Sequence, residues 1–360
     1  MTDDRSITWQ AAPTVPPFAI ASWLRPLPVP AGQHRLAGGW ARFDQLDLVQ
    51  RDDNGTYSAC RMTVDALLDA ADDCNRASAA LDALIAPRPS FAGLAMDRAQ
   101  IMGILNITPD SFSDGGRHNA PARAIATGRD MQAAGATIID IGGESTRPGA
   151  APVTRNQELA RVLPAIAGLK GGGARLSIDT RHAEVITRAV SGGADIINDV
   201  EGLRGEGAME AAATTGKPVI MMHMQGTPQT MQDDPRYGFA PVEILEFLHA
   251  RIAAAESAGI SRADIAIDPG FGFGKTITHN MQLMSWAAML HGLGVPILIG
   301  ASRKSSIAKI SHGEDADNRL AGSIVLAAEG LRQGCQILRV HDVPETRQAV
   351  ALQMALLAAD

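Results

Sequence analysis

Cysteine is scarce: Cys60, Cys74 and Cys335 are the three in 360 residues. They are too few for a disulfide framework and too far apart for a paired-cysteine metal site. Aromatic residues make up only 4%, no run of Lys or Arg occurs, and the net charge is −7. A nucleic-acid partner would call for a basic stripe or stacking platforms, so none is expected. No stretch reaches the ~18 consecutive apolar residues of a membrane span. The opening MTDDRSITWQ lacks a basic segment followed by an apolar one, so no signal peptide is read there. The expectation is a cytoplasmic chain with no membrane partner. Apolar residues at 46% and charged residues at 20% fit a globular chain with a large core and exclude disorder, collagen and a coiled coil.

From residue 101 onward, short runs rich in Ile and Val alternate with segments of helical spacing. The runs are Ile101–Ile107, Thr137–Gly142, Arg175–Thr180, Ala194–Val200, Pro218–Met224, Ile265–Pro269, Pro296–Ala301 and Gln336–His341, eight in all. Each is nearly continuous in apolar residues, as parallel strands buried on both faces require. Helices are predicted over 121–134, 156–169, 184–191, 241–257 and 320–332. Gly135, Gly192, Gly216, Gly259, Gly294 and Gly334 follow helical segments as left-handed caps, and Pro241 suits a first turn. Eight strand-then-helix units predict an α/β fold, a (β/α)8 TIM barrel. A doubly wound open sheet is the runner-up.

Residues 1–95 break this rhythm and contain neither Lys nor Glu. Phe18–Leu24 and Leu46–Gln50 read as strands, and Val64, Leu67, Leu68, Ala71, Leu81, Leu84 and Ile85 fall near helical spacing. The division expected is an α+β N-terminal extension, 1–95, and a catalytic barrel, 96–360, with the boundary near Pro87–Phe91.

A barrel keeps its active site at the C-terminal ends of its strands, and polar residues collect there. The eight ends supply Asn106, Thr108, Asp110, Ser111 and Asp114; Glu144, Ser145, Thr146 and Arg147; Asp179; Asn198 and Asp199; His223; Asp268; Ser302, Arg303 and Lys304; and Arg339, His341 and Asp342. Taken singly, Asp179 or Asp199 is as readily a helix cap, and His223 or His341 a packing residue. Together they exceed what capping explains. Asp179, Asn198 and Asp268 offer acceptors and an amide edge to a flat heterocycle, with Lys304 donating to its ring. Arg147, Arg339 and His341 form a cationic set for a phosphate or diphosphate. Asn106, with Asp110 near, is an oxygen site for Mg²⁺; whether Asp110 or Asp114 joins it stays open. Two decoys fail. GFGFGKT has Pro269 where a phosphate loop needs glycine, and the SxxK of Ser306–Lys309 lacks its partner motifs.

Eight segments in order, MGILNITPDSFSDGG, IDIGGESTRPGA, SIDTR, DIINDV, MMHMQGTP, IDPGFGFGK, GASRKS and RVHDV, resemble the dihydropteroate synthases of folate biosynthesis over about residues 92–357. The resemblance implies a transferase joining 6-hydroxymethyl-7,8-dihydropterin diphosphate to 4-aminobenzoate with release of pyrophosphate, using Mg²⁺. It implies that Asp179, Asn198, Asp268 and Lys304 hold the pterin, and that Asn106 with the metal, Arg339 and His341 meet the diphosphate. It implies too that Thr146 contacts substrate and that Arg147, Pro148, Phe273 and Ser302–Arg303 bound the aminobenzoate. Phe112 and Arg147 sit on loops resembling those that order over the reaction centre. The catalytic set implied is Lys304, Asp179, Arg339 and His341, in a dissociative mechanism, and a homodimer is expected. Leu326, Leu331, Val350 and Leu352 are left as interface or core. The alternatives are a corrinoid-linked pterin-binding methyltransferase module and a non-catalytic pterin-binding relative.

Overall fold

A computed structural model describes residues 7–10, 21–70, 74–107, 120–145, 153–227 and 229–359. The N-terminal part builds its own sheet from β1 (Ile7–Trp9), β2 (Ser22–Val29), β3 (His34–Arg35), β4 (Arg42–Arg51) and β5 (Tyr57–Thr63), followed by α1 (Val64–Ala70) and α2 (Cys74–Ile85). Its order is β1-β5-β4-β2, with β3 also pairing β4. The predicted strand over 18–24 begins instead at Ser22 and continues through Pro26 and Pro28 to Val29. It can do so because β2 lies at the edge, where a residue without an N–H breaks no second ladder. Residues 18–20 lie outside the described residues. Phe43, Leu46, Leu48, Leu67, Ala77 and Leu84 form the core between this sheet and its helices.

The second sheet contains β6 (Gln100–Asn106), β7 (Ile138–Gly142), β8 (Arg175–Asp179), β9 (Ile196–Asp199), β10 (Val219–Met222), β11 (Ile265–Asp268), β12 (Leu298–Ile299) and β13 (Ile337–Val340). Their order is β11-β10-β9-β8-β7-β6-β13-β12. A parallel bridge between Ile267 and Ile297 brings the two ends together. The sheet is therefore a ring of eight parallel strands rather than a doubly wound open sheet. Around it run α3 (Ala120–Ala133), α4 (Arg155–Leu169), α5 (Ala183–Gly192), α6 (Ala208–Thr215), α7 (Ala240–Ser257), α8 (Ile277–Ser285), α9 (Ser305–Ile310), α10 (Leu320–Arg332) and α11 (Val343–Leu357). Pro241 occupies the first turn of α7 as predicted. The cap after α5 is Gly193, at φ 123°, not Gly192, which remains in the helix. Among the described residues, no helix is long and apolar enough to cross a membrane.

Strand alternation sorts the ring's side chains. Met102, Ile138, Ile196, Ile220, Ala266, Leu298 and Ile337 form one inward layer, joined by Phe91 and Met96. Those last two precede the first barrel strand and plug the end at which the strands begin. Polar function is left the opposite end. The N-terminal sheet docks against the outer wall. There Trp40 Nε1 donates to Leu331 O at 2.7 Å, Arg88 donates to His291 O at 2.7 Å, and the Arg25 guanidinium lies 4.1 Å from the Trp286 ring centre.

Candidate active site

Strand register places Asn106, Gly142, Asp179 and Asn198 side by side on four successive strands, β6 to β9. Gly142 matters because it has no side chain. A Cβ there would lie 3.4 Å from Asn106 Oδ1 and 3.6 Å from Asp179 Cβ, filling the space between them. Asn106 and Asp179 thus flank a small recess lined by oxygen.

Arg339, on β13, reaches across the mouth. Its Nε donates to Asp140 Oδ2 at 2.6 Å and its Nη2 to Asp179 Oδ2 at 2.7 Å. Asn198 Nδ2 donates to Asp140 Oδ2 at 3.2 Å. Three predicted residues therefore meet around a fourth, Asp140, that sequence reasoning missed. Its one signal was a carboxylate within the apolar run IIDIG. The central residue of a strand buried on both faces is an expensive place for a charge unless a partner awaits it. Burial pushes Asp179 up to about 7, against the pull of Arg339 and with the push of Asp140.

Asp268 completes the acidic wall. Its Oδ1 accepts from Gly270 N at 2.7 Å, and burial raises its pKa despite that bond and the nearby Lys304. The Lys304 ammonium stands 4.0 Å from the centre of the Phe273 ring, a cation–π contact that orients it. Phe273 in turn packs beside Val200, Met222, Met224 and Met231. A polar row on one side and a polarizable apolar patch on the other suit a flat ring with polar edges.

His341 N–H donates to Ser302 Oγ at 3.2 Å, and the same hydroxyl lies 3.1 Å from His341 Nδ1. The Ser302 hydroxyl thus meets both the backbone N–H and the ring of His341, and it can serve Nδ1 as donor or as acceptor according to the ring's tautomer. Burial, then Arg339 and Arg303, lowers His341 to about 3. The imidazole is therefore neutral, a correction to its reading as a cation. It can offer an anion a hydrogen bond without charge. Arg303, at φ 56°, turns its guanidinium to Asp342 and Asp317, so its charge is committed to the protein.

The rejected phosphate-loop motif has a structural role. Lys275 Nζ is buried and reaches His223 Nδ1, Gly270 O and Phe273 O, each at 2.9 Å, which folds the loop onto itself. Gly270, at φ 71°, is needed there, since a Cβ would come within 1.9 Å of His223 O. Asp199 accepts from Glu201 N and Leu203 N in a tight turn, the capping role open to it. Thr108, Asp110, Ser111, Phe112, Asp114, Thr146, Arg147 and Pro148 lie outside the described residues.

The chain matches the family described as pterin binding enzyme over residues 102–341. Dihydropteroate synthase of Escherichia coli strain K12 is 46% identical over 267 residues, which is 74% of this chain and 94% of that protein. The solved Yersinia pestis dihydropteroate synthase with a sulfonamide drug complex superposes with a TM-score of 0.71 at 46% identity, covering 74% of this chain and 96% of that one. The Xanthomonas albilineans dihydropteroate synthase with 4-aminobenzoic acid gives 0.71 at 45% identity, covering 76% and 98%. With the ring of strands and the ordered segments at its rim, these likenesses place the chain in the pterin-binding enzyme family, among the dihydropteroate synthases.

Proposed function

We propose that this chain condenses 6-hydroxymethyl-7,8-dihydropterin diphosphate with 4-aminobenzoate, giving 7,8-dihydropteroate and pyrophosphate. The observation that carries the reading is the excess of carboxylates around Arg339: Asp140 and Asp268 are buried, and Asp179 is largely covered, its side chain 12% exposed. Acceptors in excess call for a ligand rich in N–H groups, and a pterin edge supplies them. Asp179 and Asp268 accept from the ring, Asn198 completes the edge, and Lys304 donates to ring carbonyl or nitrogen. Phe273 and Ser302 are assigned to the aminobenzoate side. Arg339 keeps Nη1 without a partner among the described residues, and His341 in its Nε2–H tautomer is a second donor, so both can serve the diphosphate. The Asn106 amide oxygen beside its recess fits Mg²⁺, a hard cation that takes one or two protein oxygens and shares the rest with phosphate. Bound there, the ion would neutralise charge on the departing diphosphate.

As the methylene C–O bond breaks, Arg339 and His341 hold the leaving group and the acidic wall holds the pterin still. The aniline nitrogen then forms the C–N bond and gives up a proton to solvent, with no dedicated base. Pyrophosphate release measured with dihydropterin diphosphate and Mg²⁺ should depend on 4-aminobenzoate and yield dihydropteroate by mass. Release without any coupled product would overturn the reading.

We further propose a cytoplasmic homodimer, with residues 1–95 as an accessory unit. Val325, Leu352 and Leu356 on α10 and α11 are large apolar residues left exposed, at 67%, 63% and 68%. Leu331 is buried core, whereas Leu326 and Val350 are only partly covered. Leu352→Glu with Leu356→Glu should halve the mass measured by light scattering.

A further inference from the structure

A second cluster of titratable groups lies beside the first, at the rim ends of β7 and β8. Glu144 follows β7, Glu158 stands in the first turn of α4, and His182 caps α5. His182 Nε2 is 3.7 Å from Glu144 Oε2 and 4.0 Å from Glu158 Oε2. One ligand atom from each of the three falls within 4.8 Å of the others.

The position of Glu158 is built with some care. Thr154 and Gln157 form a reciprocal capping box that fixes the start of α4. Gly143 then allows the helix to close on the strand end, since a Cβ there would lie 2.9 Å from Glu158 Cγ. The result is a Glu158 with 0% exposure whose two carboxylate oxygens both lack a hydrogen-bond partner among the described residues. The Thr180 hydroxyl is near enough to favour the charged carboxylate but stands outside hydrogen-bonding geometry. His182 Nε2 is buried and equally unbonded. Arg181 does not fill this need: it donates to Glu144 and Glu201. A buried carboxylate left in this way needs a cation or a proton.

We propose that Glu144, Glu158 and His182 bind one divalent cation of the zinc type, at a site separate from the diphosphate. Two carboxylate oxygens and an imidazole nitrogen form a mixed donor set suited to Zn²⁺, with a fourth position left to water. Burial and then Arg181 lower His182, leaving a neutral ring able to ligate. Burial raises Glu158 to about 7, as expected of a carboxylate short of positive charge. Glu144 also accepts from Val153 N at 3.4 Å. An ion here would sit on a carboxylate that already links positions 144 and 153.

The test is calorimetric titration of Zn²⁺ into tag-free, chelator-stripped protein, comparing wild type with Glu158→Gln and His182→Gln. One equivalent per chain is expected, with affinity lowered at least about tenfold in each variant. Melting in chelator shows whether each variant is folded. Should His182→Gln fail to fold, Glu158→Gln and the visible absorption of bound Co²⁺ carry the comparison. Absence of Zn²⁺ binding, or equal binding by folded variants, overturns the proposal.

Discussion

Two fully buried aspartates, Asp47 in the N-terminal sheet and Asp140 in the barrel, look alike until their partners are counted. Asp47 accepts from Arg25 at 3.0 Å and from Arg61 at 2.9 Å, so two guanidinium groups serve one carboxylate. Asp140 shares a single guanidinium, that of Arg339, with Asp179. Asp268 lies close enough to feel the same charge. In the sheet the ionic account is closed, and the pairing serves the fold. In the barrel it is open in the direction of acceptors at Asp140 and Asp179, and a donor-bearing ligand or a proton can close it. The sign of the imbalance separates a structural ion pair from a binding site.

The sharpest way to break this comparison is at the barrel mouth. Lys304→Ala should lower kcat/KM for dihydropteroate formation by about 10²–10³, the usual loss when a positioned charge-stabilising donor is removed. Its urea midpoint should stay near that of wild type. Unchanged turnover would remove Lys304 from the catalytic set.

Next comes the sheet. Asp47→Asn should cost about 2–3 kcal/mol in urea unfolding, below the full price of a broken buried pair because Arg61 is half exposed. Turnover by the folded variant should match wild type. A large kinetic loss would mean that the two regions are coupled.

The smallest effect is a stability difference that depends on pH. Burial raises Asp179 to about 7, so the folded chain holds a proton that the unfolded chain releases near pH 4. Folding stability from this group therefore falls as pH rises from about 4 to about 7, then levels off. Asp179→Asn, which cannot ionise, should melt at least about 2 °C higher than wild type at pH 8. The gain should vanish near pH 4, while substrate binding is lost. A constant difference across that range would put the proton elsewhere.

Much of the barrel was legible because strands buried on both faces leave continuous apolar runs that need no partner to be recognised. The run at 296–301 shrank to Leu298–Ile299: Pro296 has no N–H to give a ladder, and the Ile297 N–H goes to the Gln336 side chain instead. The first sheet was harder: Pro26 and Pro28 obscure β2, and only its edge position makes them tolerable. Asn106, Asp179 and Asn198 could be named from sequence because each lies at or within one residue of a strand's end, and register then aligns them. Asp140 could not, because its meaning comes from an arginine 199 positions away. The charge state of His341 and the commitments of Arg303 were hidden for the same reason: both are set by neighbours rather than by residue type.

The plug formed by Phe91 and Met96 has a consequence for the order of assembly. These residues pack in a layer completed by Ile337, and β6 pairs with β13, so the first and last parts of the barrel must meet. The N-terminal sheet draws its own ladder from residues 7–63. At a synthesis rate of about 5–20 residues per second, the ribosome finishes that sheet roughly ten seconds or more before β13 exists. Through that interval Phe91 and Met96 are greasy side chains whose layer is still incomplete. Ring closure, with its long-range pairing, is the slow and aggregation-exposed event in the birth of this enzyme.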